Sequence, residues 1–378
     1  MVGLYVHVPF CSAICNYCNF NRGLFDAALK AKYVEALTAE IAGHRALGPA
    51  AARARADTIY FGGGTPSLLE PDEVERIIAA CQAAFTVSPD SEITLEANPE
   101  TVTAARLEAF RRAGVNRLSF GVQSFRDQEL RRLSRLHTAD RAGHAVQDAR
   151  AAGFDNVSLD LMMWLPQQSV SDWLESVDRA IAIAPDHMSL YLLELYPNAP
   201  LRDEMARAQW SQAPDDDAAS MYLTAMERLD DAGYEQYEIS NVSKPGRRSR
   251  HNLKYWTDGE WVGFGCGAHS TSGGVRWKNV SSTEEYVARM IEGRSAAVDV
   301  RALGHDERLG DALFTGLRLN EGVDLQTVNA RYGADVWARF GSALSRFVDA
   351  GMLCRDGSRL RLTRPGMLLA HEVMEVFV

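Results

Sequence analysis

The stretch Leu4-Tyr5-Val6-His7-Val8-Pro9-Phe10-Cys11-Ser12-Ala13-Ile14-Cys15-Asn16-Tyr17-Cys18 decides how the rest of the chain is read. Leu4 to Val8 is the apolar run of a buried strand, and the loop after it sets three thiols four and three residues apart. Thiolates hold iron–sulfur clusters, four for a complete set. Only three lie within reach here. Position 20 is Phe20, Cys81 belongs to an apolar helical stripe, and Cys266 and Cys354 are far along the chain. Three ligands on a four-iron cluster leave one iron with an open position, the same logic that separates catalytic from structural zinc sites. Two plainer alternatives stay open on the residues alone: a zinc site with His7 as fourth ligand, and unrelated buried thiols.

Working outward, strand and helix alternate. Short apolar runs at Leu4 to Val8, Thr58 to Phe61, Ile93 to Ala97, Arg117 to Val122, Val157 to Met162 and Met188 to Leu193 predict six strands. Between them, Tyr33, Val34, Leu37 and Ile41 form one helical stripe, and Pro71 opens a helix carrying Val74, Ile77, Ile78, Cys81 and Phe85. One helix stops at Gly114, a long helical stretch ends at Gly153, Ser171 is the expected cap of the next, and another helix surrounds Met221 to Leu229. Six strand–helix units in strict alternation mean an α/β fold with a parallel sheet. Six are too few for a complete eight-stranded barrel, so the expected architecture is a partial (β/α)6, TIM-like barrel over residues 1–235. Polar and glycine-rich residues gather at or just after the strand ends, the active face of such barrels. Residues 236–300 read as an irregular, aromatic extension. Residues 301–378 turn helical and end in a hairpin around Asp356-Gly357, which suggests a winged-helix-like domain.

The totals fit an ordinary globular enzyme: 378 residues, 46% hydrophobic and 24% charged, so a large core needs no staples. A net charge of −10 argues against nucleic acid as a partner. Six cysteines are too few for a disulfide scaffold. No apolar run approaches the ~18 residues of a membrane span, and no basic segment leads into an apolar core as in a secretory signal. A cytoplasmic, reducing location is the expectation.

The cysteine loop resembles the C-x-x-x-C-x-x-C signature of the radical S-adenosylmethionine (SAM) superfamily. That resemblance implies a [4Fe–4S] cluster on Cys11, Cys15 and Cys18 whose free iron chelates S-adenosyl-L-methionine. An electron from the cluster then cleaves SAM to a 5′-deoxyadenosyl radical, hard chemistry that the cofactor supplies and the protein orients. Gly62-Gly63-Gly64-Thr65-Pro66 resembles the family's GGGTP element along the methionine group of SAM. Glu96, Gln123, Arg135 and Asp160 stand at or after the ends of successive strands. An acid in so apolar a strand as Val157-Ser158-Leu159-Asp160-Leu161 is costly to bury unpaired. Salt bridging inside the barrel accounts for any one of these taken alone. Together with Tyr5 and Tyr17 they match residues that contact SAM in the oxygen-independent coproporphyrinogen oxidase family.

Two branches of that family compete: the coproporphyrinogen III oxidases, and their haem chaperone relatives, which bind haem and transfer it to acceptor proteins. Phe20 stands where the oxidases have a further cysteine, and the cluster motif begins ten residues from Met1 where the oxidases have an extension. His251-Asn252-Leu253-Lys254-Tyr255-Trp256 looks like the H-N-x-x-Y-W motif of the chaperone group. The resemblance therefore implies haem as ligand, with His251 its candidate axial ligand and Tyr255 and Trp256 flanking the porphyrin. The plainer alternative is a surface turn whose aromatics anchor to the barrel. Cys266 and His269 are secondary candidates. Haem-accepting proteins, respiratory ones among them, are the implied partners, and a peripheral association with a membrane is compatible with the sequence. The competing reading is a radical enzyme, either the oxidase itself or a related methyltransferase. A third is an electron-transfer or sensor protein using the cluster alone. Trp164, where many relatives have glycine, is expected to alter the cavity floor or a helix contact. Arg355, Arg359, Arg361 and Arg364 on the hairpin are expected to form a solvated face.

Overall fold

Each of the six predicted apolar runs forms a strand in the structure, a computed structural model that describes residues 1–44 and 54–378. They are β1 (Val2–Val8), β2 (Arg55–Gly63), β3 (Thr86–Ala97), β4 (Arg117–Gln123), β5 (Val157–Met163) and β6 (His187–Leu192). All five neighbouring pairs are parallel and follow chain order, as Leu4↔Ile59, Phe61↔Leu95, Ala97↔Phe120, Leu118↔Val157 and Leu159↔Met188 illustrate. Parallel strands are covered on both faces. That is why Leu4, Val6, Val8, Leu118, Phe120 and Val122 are all fully buried.

The covering helices follow the predicted stripes. Helix Ala27–Gly43 buries Tyr33, Val34, Leu37 and Ile41, and helix Pro71–Ala84 buries Val74, Ile77, Ile78 and Cys81. Two local expectations are corrected. The long helix ending at Gly153 is two helices, Asp127–Arg132 and Ala139–Ala151, separated where Ser134 takes a positive φ and Thr138 caps the second helix. Helix Val170–Ile183 is capped by Ser169, not Ser171, because Ser169 forms a reciprocal capping box with Asp172.

The stretch 236–300 is not irregular. Trp261–Phe264 pairs in parallel with β1, and His269–Ser272, Val275–Asn279 and Ala297–Ala302 continue the sheet antiparallel beyond it. On the far edge Asn241–Ser243 and Glu235–Glu238 pair antiparallel beside β6, which gives one twelve-stranded sheet. The C-terminal part alternates as a winged helix does. Helix His305–Gly316, strand Val323–Asp324, helices Leu325–Tyr332 and Val336–Asp349, and the hairpin Leu353–Asp356 with Arg359–Leu362 follow in order. Two hairpin arginines are already engaged: Arg355 lies 4.1 Å over Trp337 and Arg364 pairs with Asp230 at 2.6 Å. Among the described residues no helix is long and apolar enough to cross a membrane.

Candidate functional site

The carboxyl ends of the parallel strands open on one cavity of about 400 Å³. β2 delivers Gly63, Gly64 and Thr65 to it, β3 delivers Glu96, β4 delivers Gln123, β5 delivers Asp160, and β6 delivers Tyr191 and Leu192. The loop after β1 supplies Cys11, Cys15, Tyr17, Cys18, Phe20 and Arg22, and Arg135 enters from the loop beyond β4. Thus all twelve sequence candidates for cluster and SAM gather around one space or directly behind it, and His251, the haem candidate, does not.

The cysteine loop is fixed to the glycine loop by backbone. Gly64 N–H donates to Val8 O and Thr65 N–H donates to Phe10 O, both at 2.8 Å. Gly64 is glycine by necessity, since a Cβ there would lie 2.8 Å from Phe10 O and 2.9 Å from Cys11 Sγ. Behind this layer stand Tyr5 and His7. Tyr5 Oη is 3.0 Å from His7 Nδ1, and His7 Nε2 is 2.8 Å from Asn21 O. Tyr5 is therefore a second layer beneath Gly62 rather than part of the cavity wall. With both ring nitrogens engaged, His7 has none free for zinc. Among the described residues no three His, Cys, Asp or Glu side chains converge as a single-ion site. A cluster asks for something different, because each thiolate takes a separate iron and the sulfurs stand apart.

The polar groups suit a charged guest. Arg135 Nη1 is 3.4 Å from Cys15 Sγ, a cation set beside a future thiolate. Its Nη2 donates to Asn98 Oδ1 at 2.7 Å and to Gly121 O at 2.6 Å. Gln123 Oε1 and Arg135 Nε are buried and have no partner. Unpaired buried polar atoms are rare in folded proteins, and at a cavity wall they point to a missing ligand. Gln123 also sits at φ 69°, a strained conformation of the kind that gathers at ligand sites. Glu96 accepts from Tyr60 Oη at 2.6 Å and Gly63 N–H at 3.3 Å, and Ser119 Oγ lies 3.4 Å from Asp160 Oδ1. Burial pushes the Glu96 carboxyl up to about 7, with nearby Asp160 adding to the rise, and burial pushes Asp160 up to about 6. A cationic ligand reverses both shifts and draws the carboxylates into their charged form.

Asn98, Tyr60 and Arg22 belong to this site although the sequence reading did not single them out. Asn98 lies two residues past Glu96 and links Arg135 to Thr65, whose Oγ1 is 3.2 Å from its Nδ2. Arg22 donates to Cys18 O and closes the end of the loop. Trp164 does not touch the cavity floor. It takes φ 64°, which explains the glycine expected at that position, and its indole donates to Ala213 O at 2.7 Å.

The haem candidates lie elsewhere. His251 is 1% exposed at the opposite end of the barrel, with Nδ1 2.8 Å from Thr58 Oγ1 and Nε2 3.0 Å from Tyr255 Oη. Burial holds it neutral, its pKa lowered to about 3. In this arrangement it offers an iron neither a free ring nitrogen nor an open face. Cys266 is fully buried, and His269 is exposed on a flanking strand.

A six-stranded parallel barrel with three thiols and unpaired polar groups at its carboxyl end defines a radical SAM protein. The Radical SAM superfamily model matches residues 5–180, and the HemN C-terminal domain model matches 303–369. The chain is 34% identical over 381 residues to "Heme chaperone HemW" of Bacillus subtilis, covering 100% of this chain and 99% of that one. It is 36% identical over 383 residues to the protein of that name in Mycobacterium tuberculosis, covering 100% and 94%. It is 35% identical over 391 residues to the bovine "Radical S-adenosyl methionine domain-containing protein 1, mitochondrial", covering 98% and 86%. The chain belongs to the HemW family within the radical SAM superfamily. The solved coproporphyrinogen III oxidase (HemN) of Escherichia coli shares the fold, with a TM-score of 0.86 at 24% identity over 100% of this chain and 89% of that one.

Proposed function

We propose that this chain is a haem chaperone of the radical SAM type, which binds haem and passes it to acceptor proteins. The observation that carries the reading is end-to-end likeness to proteins named for that role, at 34–36% identity. In this reading residues 1–235 form the barrel, 236–300 extend its sheet and 301–378 form the winged-helix-like domain. Cys11, Cys15 and Cys18 would hold the [4Fe–4S] cluster, which supplies one electron and an open iron for SAM. Gly63, Gly64 and Thr65 would line the cofactor with backbone, and Tyr17, Gln123 and Arg135 would orient it. Glu96 and Asp160 would supply negative charge for its cationic sulfonium and amine. Tyr5 would support this layer from behind.

The rim of the cavity favours haem as the guest above that layer. Phe20, Tyr191, Leu192 and Tyr196 line it and are all exposed, Phe20 by 66%. Exposed apolar side chains gathered around one mouth, rather than scattered singly, support a binding site. A flat apolar macrocycle would cover it.

The test is anaerobic. Rebuild the cluster and supply SAM, reductant and coproporphyrinogen III, then titrate a second sample with haem. A Soret band that saturates, with no protoporphyrinogen formed, is the expected result. Formation of protoporphyrinogen would overturn the reading in favour of an oxidase. That second reading has one observation behind it: the unpartnered Gln123 and Arg135 atoms, which a simple haem carrier does not need.

A further inference from the structure

The H-N-x-x-Y-W motif is left over once the cavity is assigned, because it lies at the other end of the barrel. Its helix, Arg250–Trp256, closes that end. The buried Glu92 carboxylate of β3 accepts from Arg250 N–H at 3.0 Å and His251 N–H at 3.1 Å. Ser249 caps the helix by accepting from Asn252 N–H. Lys254 Nζ pairs with Asp57 of β2 at 2.6 Å, and the Arg318 guanidinium lies 4.4 Å over Trp256. Besides its own cap, the helix is tied to the barrel through Glu92 and Asp57 and to the C-terminal part through Arg318, so it is held as one unit.

What this unit presents to the barrel interior is the His251 ring. β1 makes room for it with Gly3, where a Cβ would lie 2.7 Å from Lys254 Cδ and 3.0 Å from His251 Cε1. Thr58 and Tyr255 fix both ring nitrogens and so its rotation. The ring then stacks on Tyr60, centroids 5.0 Å apart and planes at 26°. Tyr5 stacks on Tyr60 as well, at 6.3 Å and 22°. The phenol of Tyr60 ends on Glu96, a wall of the cavity. Tyr60 is thus held by two aromatic rings, and its one polar atom sets where the Glu96 carboxylate points. Glu96 keeps Gly63 N–H as its other donor, which leaves the remaining carboxylate face to the cavity.

We propose that His251 is a positioning residue for SAM: through Tyr60 it aims Glu96 into the cavity, and it is not a ligand to haem. This rests on the reading of the cavity as the SAM site. Groups that orient ligating groups from behind are worth about ten- to a hundredfold in affinity in metal sites. The same order is expected here, at its lower end, because two contacts separate His251 from the cavity.

The experiment titrates SAM into the reduced, reconstituted protein and follows the change in the cluster's EPR signal, with haem titrated separately and read by the Soret band. Variants are His251→Ala, His251→Gln, whose amide can serve Thr58 and Tyr255 together, and Tyr60→Phe, which deletes one oxygen and leaves the stacking. The expected result is about a tenfold higher SAM concentration at half-change in His251→Ala and Tyr60→Phe, recovery to within about threefold in His251→Gln, and a Soret titration unchanged in all three. Should His251→Ala fail to fold, Tyr60→Phe and His251→Gln carry the test. Wild-type SAM response in Tyr60→Phe overturns the proposal, as does a Soret band lost in His251→Ala with SAM response intact. A wild-type protein whose signal ignores SAM would instead sink the assignment of the cavity, a separate failure.

Discussion

The two ends of this barrel are built from the same materials and do different things. Both carry short motifs rich in polar and aromatic residues, and both bury a carboxylate and a cation or imidazole. At the carboxyl end Gln123 Oε1 and Arg135 Nε lie buried, without partners, in residues of the cavity wall. At the amino end both nitrogens of His251 and both oxygens of Glu92 are taken by protein, and the buried motif atom without a hydrogen-bond partner, Trp256 Nε1, belongs to a ring covered by the Arg318 guanidinium. The lesson is that a motif marks a ligand site where its polar atoms are left free, and marks architecture where they are used up.

The strongest way to break the contrast is at the cluster. Cys15→Ala is expected to abolish iron retention and visible absorption after anaerobic reconstitution, while the fold by circular dichroism persists, since no other bond of the core depends on that thiol. Retained iron in that variant would reopen zinc or a different ligand set. Next in size is Arg135→Ala, which removes two hydrogen bonds within the wall and the cation beside Cys15. A ten- to hundredfold weaker SAM response is expected in the EPR titration, several times the loss expected from the closed end.

The pH dependence sharpens the contrast without any cofactor. Glu96 carries a raised pKa, so between about 4.5 and about 7 the folded chain keeps a proton that the unfolded chain has released. The Glu96 contribution to the stability of the cluster-free protein therefore falls as pH rises through that window and levels off above it, by no more than about 3 kcal/mol because the cavity face of the carboxyl stays open. Buried neutral His251 acts with the opposite sign, and the comparison with the variant separates the two. Asp160 acts with the same sign as Glu96 up to about 6. Glu96→Gln is expected to flatten the slope and to exceed its parent in stability at pH 8. Denaturant midpoints at pH 5 and 8 check this, and an unaltered slope would remove Glu96 as its source.

Smaller effects are expected at the rim and beyond it. Phe20→Ser or Leu192→Ser should weaken haem about tenfold each, the worth of an exposed apolar side chain newly covered, and leave the SAM titration alone. Trp164→Gly should change stability by less than about 1 kcal/mol. Relief of the left-handed backbone, about 1–2 kcal/mol, is offset by the lost bond to Ala213 and the greater freedom of glycine in the unfolded chain. Neither cofactor should respond, because Trp164 lies off the cavity.

The barrel was legible because its strands are buried on both faces and so read as unbroken apolar runs. β3 begins earlier than expected because Thr86 to Glu92 is polar and half exposed, a pattern that resembles loop. Strands between 235 and 302 were missed for a related reason. They run three to six residues, and their side chains mix buried and exposed positions on the flank of the sheet. At the site, cysteine spacing and strand-end placement were enough for the wall residues. Tyr60 was not found because an inward tyrosine in an apolar strand looks like core until its hydroxyl is followed to Glu96. The surroundings of His251 were not legible, because a sequence gives an imidazole's identity and nothing about what its two nitrogens already hold.

Strand β1 lies between β2 and Trp261–Phe264, so it gains its second edge from residues made about 250 positions later. At roughly 5–20 residues per second of synthesis, tens of seconds separate the two events. Until then one edge of β1 stays unpaired beside the cysteine loop, and pairing across such a span closes slowly. The interval is a window of biogenesis. Closure by the strand at 261–264 is then the late step that completes the pairing of β1 and fixes the base of the cysteine loop.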